Sequence, residues 1–221
     1  MVRWVNVRRC VLGITLSSMV AGCGATRSSA DNPTSFGGLT PNTPDMEAGL
    51  VAIAPGFDIR AYKAVVVEKF EVTDSEIQDE GDRRFAAKMT QYLHLQLLRR
   101  LRECGLFQQV VSATDGGAKP LDGAALRLRG VVTRLGRGSQ VARYFAGLYG
   151  AGRTRAQADL QLLDAASGKV GLVTADRRVA SVGMFGGSDE EHLEESFSDL
   201  ARDFAKFLVR LSQGQAPKAA P

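Results

Sequence analysis

Thr154-Arg-Ala-Gln-Ala-Asp-Leu-Gln-Leu-Leu163, then Asp164-Ala-Ala-Ser-Gly-Lys169, then the run from Val170 to Val182 decide the architecture of this chain. In the first segment Ala156, Ala158, Leu160 and Leu162 alternate with Arg155, Gln157, Asp159 and Gln161. That is the period of a strand with one apolar and one wet face. Asp164, Ser167 and Gly168 supply turn chemistry, and Val170 to Val182 is the returning strand of a hairpin. Upstream, Ala125-Leu-Arg-Leu-Arg-Gly-Val-Val-Thr133 alternates in the same way, so three strands form an antiparallel meander.

A sheet with an apolar face needs a cover, and the sequence supplies two helices. Phe85, Met89, Leu93, Leu97 and Leu101 recur at fourfold spacing, predicting a helix from about Asp82 to Cys104. Arg99, Arg100 and Arg102 suit the negative end of its dipole, and Gly105 stops it. Phe197, Leu200, Ala201, Phe204, Leu208 and Leu211 form the stripe of a second helix, opened by a Ser188–Glu191 capping box. Tyr62 to Phe70 reads as a buried strand before the first helix, and Phe107 to Val111 as a short strand after it. The expected fold is α/β: a two-layer sandwich of a mixed sheet of about five strands with two helices, in the order strand-helix-strand-strand-strand-strand-helix.

The amino terminus has a different design. Arg3, Arg8 and Arg9 form a cationic head, and the apolar run from Cys10 to Val20 is too short to span a bilayer. Val20-Ala21-Gly22-Cys23 follows and resembles the lipobox of bacterial lipoproteins. The resemblance implies a signal peptide over residues 1–22, and diacylglycerol with an N-acyl chain, palmitate among them, on Cys23 as the sole lipid. Gly24 and Ala25 in place of an aspartate imply sorting to the outer membrane, with the domain facing the periplasm. Residues 23–57 carry Pro33, Pro41, Pro44 and Pro55 among Ser, Gly and Asn, and read as a flexible tether that lifts the domain off the membrane. Leu50 to Ile53 is the part of it able to dock. A single domain then spans residues 58–212, and residues 213–221 are a disordered tail.

Composition narrows the function classes. The apolar fraction of 44% supports a core. The net charge of +4 includes the three signal arginines, so the mature chain is near neutral and gives no case for nucleic acid. Of three cysteines, Cys10 leaves with the signal and Cys23 is acylated. Cys104 is left without an intramolecular partner and reads as a buried thiol.

Two stretches carry a family resemblance. Arg143-Tyr144-Phe145-Ala146-Gly147-Leu148-Tyr149-Gly150-Ala151-Gly152 joins an Arg-aromatic start to spaced glycines, and Ala158 to Val170 adds the alternating strand and an Asp-Ala-x-x-Gly turn. With Ser181-Val-Gly183-Met-Phe185-Gly186-Gly187 before the last helix, the chain from about Tyr62 to Leu211 resembles the bacterial lipoproteins grouped as domain of unknown function 4410. The resemblance implies an envelope lipoprotein and brings no catalytic residues. By analogy of fold it suggests a scaffold that self-associates or joins an envelope assembly.

Other chemistry is weakly supported. Gly147-x-x-Gly150-x-Gly152 leads into a strand and lacks the helix that a phosphate loop requires. It reads better as a connection whose Arg143, Tyr144, Phe145, Gly147, Tyr149, Gly150, Gly152 and Arg153 form a candidate interaction loop for protein or membrane. Arg134, Arg137, Arg143, Arg153 and Arg155 are either a basic tip for anionic lipid or an acidic partner, or a solvated face paired with Asp159 or Asp176; the second is the commoner arrangement. His94 and His192 lack metal-ligand spacing, and no Gly-x-Ser-x-Gly elbow is present, so no cofactor and no catalysis are expected. A hydrolase or ligand-binding protein acting on cell-wall or lipid components is the alternative. The hydrolase would need a pocket with convergent carboxylates or a His-carboxylate pair, and ligand capture a cleft between the sheet and the helices.

Overall fold

The computed structural model describes residues 26–75, 77–114, 123–136, 153–181 and 188–219. The lipobox residues Val20, Ala21, Gly22 and Cys23 lie outside the described residues, as does the stretch 143–152 of the expected interaction loop. In chain order the elements are β1 (Thr26–Ser28), β2 (Thr43–Asp45), β3 (Gly49–Ile53), β4 (Ala64–Val67), β5 (Glu71–Val72) and α1 (Glu80–Glu103). They continue with β6 (Gln109–Ser112), β7 (Ala125–Gly136), β8 (Arg153–Asp164), β9 (Val170–Ser181) and α2 (Asp189–Ser212).

The α/β class, the mixed sheet and the two helices are as the sequence predicts, but the expected count of about five strands is too low. The described residues form a nine-stranded sheet in the order β2-β3-β9-β8-β7-β4-β6, with β1 also on β9 and β5 also on β7. The five expected strands are β4, β6, β7, β8 and β9. The other four are two to five residues long, too short to show a period. β4 lies between β6 and β7 and runs parallel to both, while β7, β8 and β9 form the antiparallel meander.

Both helices are placed by their ends and stripes. Asp79 accepts from the Asp82 amide to start α1, and Gly105, at φ +68°, follows its last turn. Ser188 and Glu191 make the reciprocal capping box that starts α2. Phe85, Met89, Leu93, Leu97 and Leu101 of α1 and Phe197, Leu200, Phe204 and Leu208 of α2 are buried in one core with Leu128, Leu160, Leu162 and Leu172 of the sheet. Each large side chain fully buried there contributes about 1.5–3 kcal/mol.

The expected tether is the main departure. From Thr26 onward it forms β1 and the β2–β3 hairpin, and β3 and β1 pair in succession along one edge of β9. Pro44 sits in β2, the outermost strand, where a missing amide is tolerated. Between β1 and β2 the chain crosses the sheet face opposite the helices. There Asp31 N donates to Gln157 Oε1 at 2.8 Å, Gln157 Nε2 donates to Asp31 O at 2.9 Å, and Thr34 N donates to Asp159 Oδ2 at 2.7 Å. Gln157 and Asp159, expected to face water, are therefore buried, because an irregular strap needs acceptors for its amides. The expected disordered tail also has partners: Met46 N donates to Lys218 O at 2.7 Å and Lys218 N to Asp45 Oδ2 at 3.0 Å.

Candidate functional site

Two polar clusters stand out beside the helices. The first ties the amino-terminal segment to β9 and α2. Alternation along β9 turns Asp176 and Arg178 toward α2, and Arg27 is paired with Arg178 across the strands. Arg178 Nη2 donates to Asp176 Oδ2 at 2.8 Å and to Asp203 Oδ2 at 2.9 Å. Arg27 Nε donates to Asp176 Oδ1 at 2.9 Å, while its Nη2 donates to the Glu47 carbonyl at 2.7 Å. About two turns further along α2, Arg210 Nη2 holds Asp45 Oδ2 at 2.7 Å and Arg210 Nε holds Glu47 Oε2 at 2.6 Å.

Burial opposes the charge of Asp45, but Arg210 and the amides of Lys218, Glu47 and Ala48 outweigh it and hold the carboxyl below its ordinary range. Asp203 is held low in the same way, with Arg202 and Arg178 outweighing burial. Arg178 is held above the usual arginine range because Asp176 and Asp203 overcome its desolvation. Every charge here faces an opposite one, so this cluster is a clamp. Asp176 therefore serves Arg27 and Arg178, not the arginines of the expected basic tip. Asp159 accepts from Thr34 and Gln157 and feels the charge of Arg134, one of the expected tip arginines, while burial outweighs these and pushes its carboxyl up.

The second cluster lies at the carboxyl ends of the parallel strands β4 and β6, against α1. His94 Nδ1 meets the Glu68 carbonyl at 2.9 Å, and His94 Nε2 meets Ser112 Oγ at 2.9 Å. A carbonyl can only accept, so Nδ1 carries a proton, and in the neutral ring Nε2 accepts from the Ser112 hydroxyl. Ser112 Oγ also receives the Thr114 amide at 3.2 Å and lies 2.7 Å from the Thr114 hydroxyl. Serine and histidine here have the relation of a nucleophile and its base. The third position, however, is a neutral carbonyl, which orients the ring without stabilising an imidazolium as a carboxylate does. The pair borders a cleft of about 640 Å³ between α1 and the sheet.

This cleft was hidden in the sequence, since His94 and Ser112 are 18 residues apart with no motif to join them. The signal that could have located it is the parallel strand-helix-strand unit, whose carboxyl edge is where ligands commonly bind in open α/β sheets. Of the expected tip arginines, Arg155 is exposed and Arg134 donates to the neighbouring Thr133 carbonyl at 2.8 Å. Cys104 is half-buried, and burial pushes its thiol up. Among the described residues no three His, Cys, Asp or Glu side chains converge as metal ligands, and no helix is long and apolar enough to cross a membrane.

Comparison with known proteins places these features in context. The model of a family described as a domain of unknown function, DUF4410, matches residues 65–183. Among solved structures, the PelC dodecamer from Paraburkholderia phytofirmans is similar at 14% identity over 70% of this chain and 94% of that one, with a TM-score of 0.45. A protein from Xanthomonas campestris is similar at 13% identity over 79% of this chain and 95% of its own, with a TM-score of 0.48. A minor lipoprotein from Acinetobacter baumannii is similar at 16% identity over 72% and 98%, with a TM-score of 0.36. No curated protein matches the chain.

Proposed function

This chain belongs to the DUF4410 family, and from that premise we propose that it is a non-catalytic lipoprotein of the bacterial cell envelope, a scaffold or binding component anchored through lipid on Cys23. The observation that carries the reading is the place of β1. The lipobox ends at Cys23, three residues before Thr26, and Thr26 is paired with Val179 of β9. Three residues reach at most about 11 Å, so the anchor holds the sheet close to the membrane instead of suspending it.

The same end of the sheet carries the two strand ends that flank the proposed interaction loop. The chain leaves β7 at Gly136, opposite Arg155, and re-enters β8 at Arg153, opposite Ser181. Gly136 and Arg153, the described residues on either side of 137–152 with its Arg143, Tyr144, Phe145, Gly147, Tyr149, Gly150 and Gly152, therefore lie at the corner where Thr26 pairs. Aromatic and basic side chains in that location suit contact with lipid head groups or with another envelope protein, including a second copy. Gly24 and Ala25 favour the outer membrane, with the domain facing the periplasm.

Membrane fractionation with mass spectrometry of the mature amino terminus tests the anchor. The expected result is an acylated Cys23 in the outer-membrane fraction, and a Cys23→Ala chain that folds but is released or mislocalised. A Cys23→Ala chain still bound to membrane after signal cleavage would overturn the reading. Tyr149→Ala and Gly150→Val should weaken assembly without unfolding the domain; unaltered assembly in both would remove the loop from the proposal.

A further inference from the structure

The cleft beside His94 has the properties of a ligand site. It follows one side of α1 from Ala87 to Arg102, so it is elongated, about 22 Å at 1.5 Å per residue. Its volume of about 640 Å³ falls within the roughly 300–1,000 Å³ of small-molecule sites. Phe70 and Leu98 form apolar walls, and Leu95, at 54% exposure, presents an open leucine at the border. Leu95 is one of two large exposed apolar side chains among the described residues.

Charge selects the occupant. Lys69 and Arg102 line the cleft, and no carboxylate does so among the described residues. Arg102 is fixed there by donating from Nε and Nη2 to the Val110 carbonyl at 3.3 and 3.2 Å, while Lys69 makes no ion pair among the described residues. The His94–Ser112–Thr114 chain adds a polar floor whose hydroxyl groups can turn toward a head group.

We propose that this cleft binds a single-chain anionic amphiphile, its acyl chain along Phe70, Leu95 and Leu98 and its acidic group at Lys69. A carboxylate or a phosphate head suits that cation equally. The test is equilibrium dialysis of radiolabelled octanoate, octyl phosphate and octanol against the full-length chain in zwitterionic nanodiscs, with empty nanodiscs subtracted. Saturable binding of one anion per chain is expected, with octanol at least about tenfold weaker, a loss of about 1.4 kcal/mol. The tighter of the two anions identifies a fatty-acid or a lipid-phosphate ligand. Lys69→Glu and Leu95→Asp, both at exposed positions, should each weaken the anion about tenfold while leaving the unfolding midpoint in place. The absence of a saturable component for both anions, or unchanged affinity in both variants, would overturn the assignment. The dialysis can be run on a soluble chain as well, so its outcome is independent of the fate of Cys23.

Discussion

The clamp around Arg178 and the cleft around His94 are both polar clusters set against the helices, yet they are built on opposite terms. In the clamp, Arg27, Arg178 and Arg210 meet Asp176, Asp203, Asp45 and Glu47. Their charges cancel within hydrogen-bond distance, and little is left to offer a ligand. In the cleft, one neutral chain of hydrogen bonds is complete, but the cations around it have no anion among the described residues. The contrast separates structure from recognition: a buried polar group that is fully paired holds the chain, and one that faces an open volume with uncompensated charge can hold something else.

Arg178 is the most sensitive position of the clamp. Arg178→Met leaves Asp176 and Asp203 buried against each other and should destabilise the domain by about 3–5 kcal/mol in urea unfolding. A loss under about 1 kcal/mol would mean that Arg27 and Arg202 alone satisfy the two carboxylates.

A smaller effect is expected at the second level of the clamp. Asp45→Ala should cost about 2–3 kcal/mol at neutral pH, through loss of its charged hydrogen bonds to Arg210 and the turn amides. The carboxyl is held below its unfolded value of 3.8, so its contribution is complete above that pH and is lost as pH falls through the lower folded value. The stability gap between the Asp45→Ala variant and the unaltered chain should therefore close in acid below about pH 3.8. A gap that stays constant down to pH 2 would show that Asp45 acts through shape and not through charge.

The cleft should respond least. Ser112→Ala removes the contacts of Oγ with His94 and Thr114 and should cost about 1–2 kcal/mol. Lys69→Glu, at an exposed position, should change stability by less than about 0.5 kcal/mol. Thermal unfolding of the two variants measures both. A large loss from Lys69→Glu would make the lysine part of the fold and would blur the difference between the two clusters.

Legibility followed the range of the signal. The β8–β9 hairpin, the capping box at Ser188 and the stripes of α1 and α2 all repeat over a few residues, and periodicity reported them. The amino-terminal strands gave no such signal. Proline and serine in residues 26–57 matched a tether, while the groups that secure this segment are single charges whose partners lie far along the chain. Arg27 reaches Asp176 across 149 residues, and Arg210 reaches Glu47 across 163. The candidate site divided in the same way: Cys23 and the Arg143–Arg153 loop can be read locally, whereas the Glu68–His94–Ser112 chain is assembled from two strand ends and a helix.

By itself, then, the sequence determined the meander and the two covering helices and suggested a lipobox, because alternation, fourfold spacing and a short motif are properties of neighbours. The tertiary structure decided that the segment from Thr26 onward belongs to the sheet, that Gln157 and Asp159 lie beneath it, and that a basic cleft opens beside His94. These depend on which distant polar groups meet. The burial of a charge is settled by its partner's position, and no local pattern records that position.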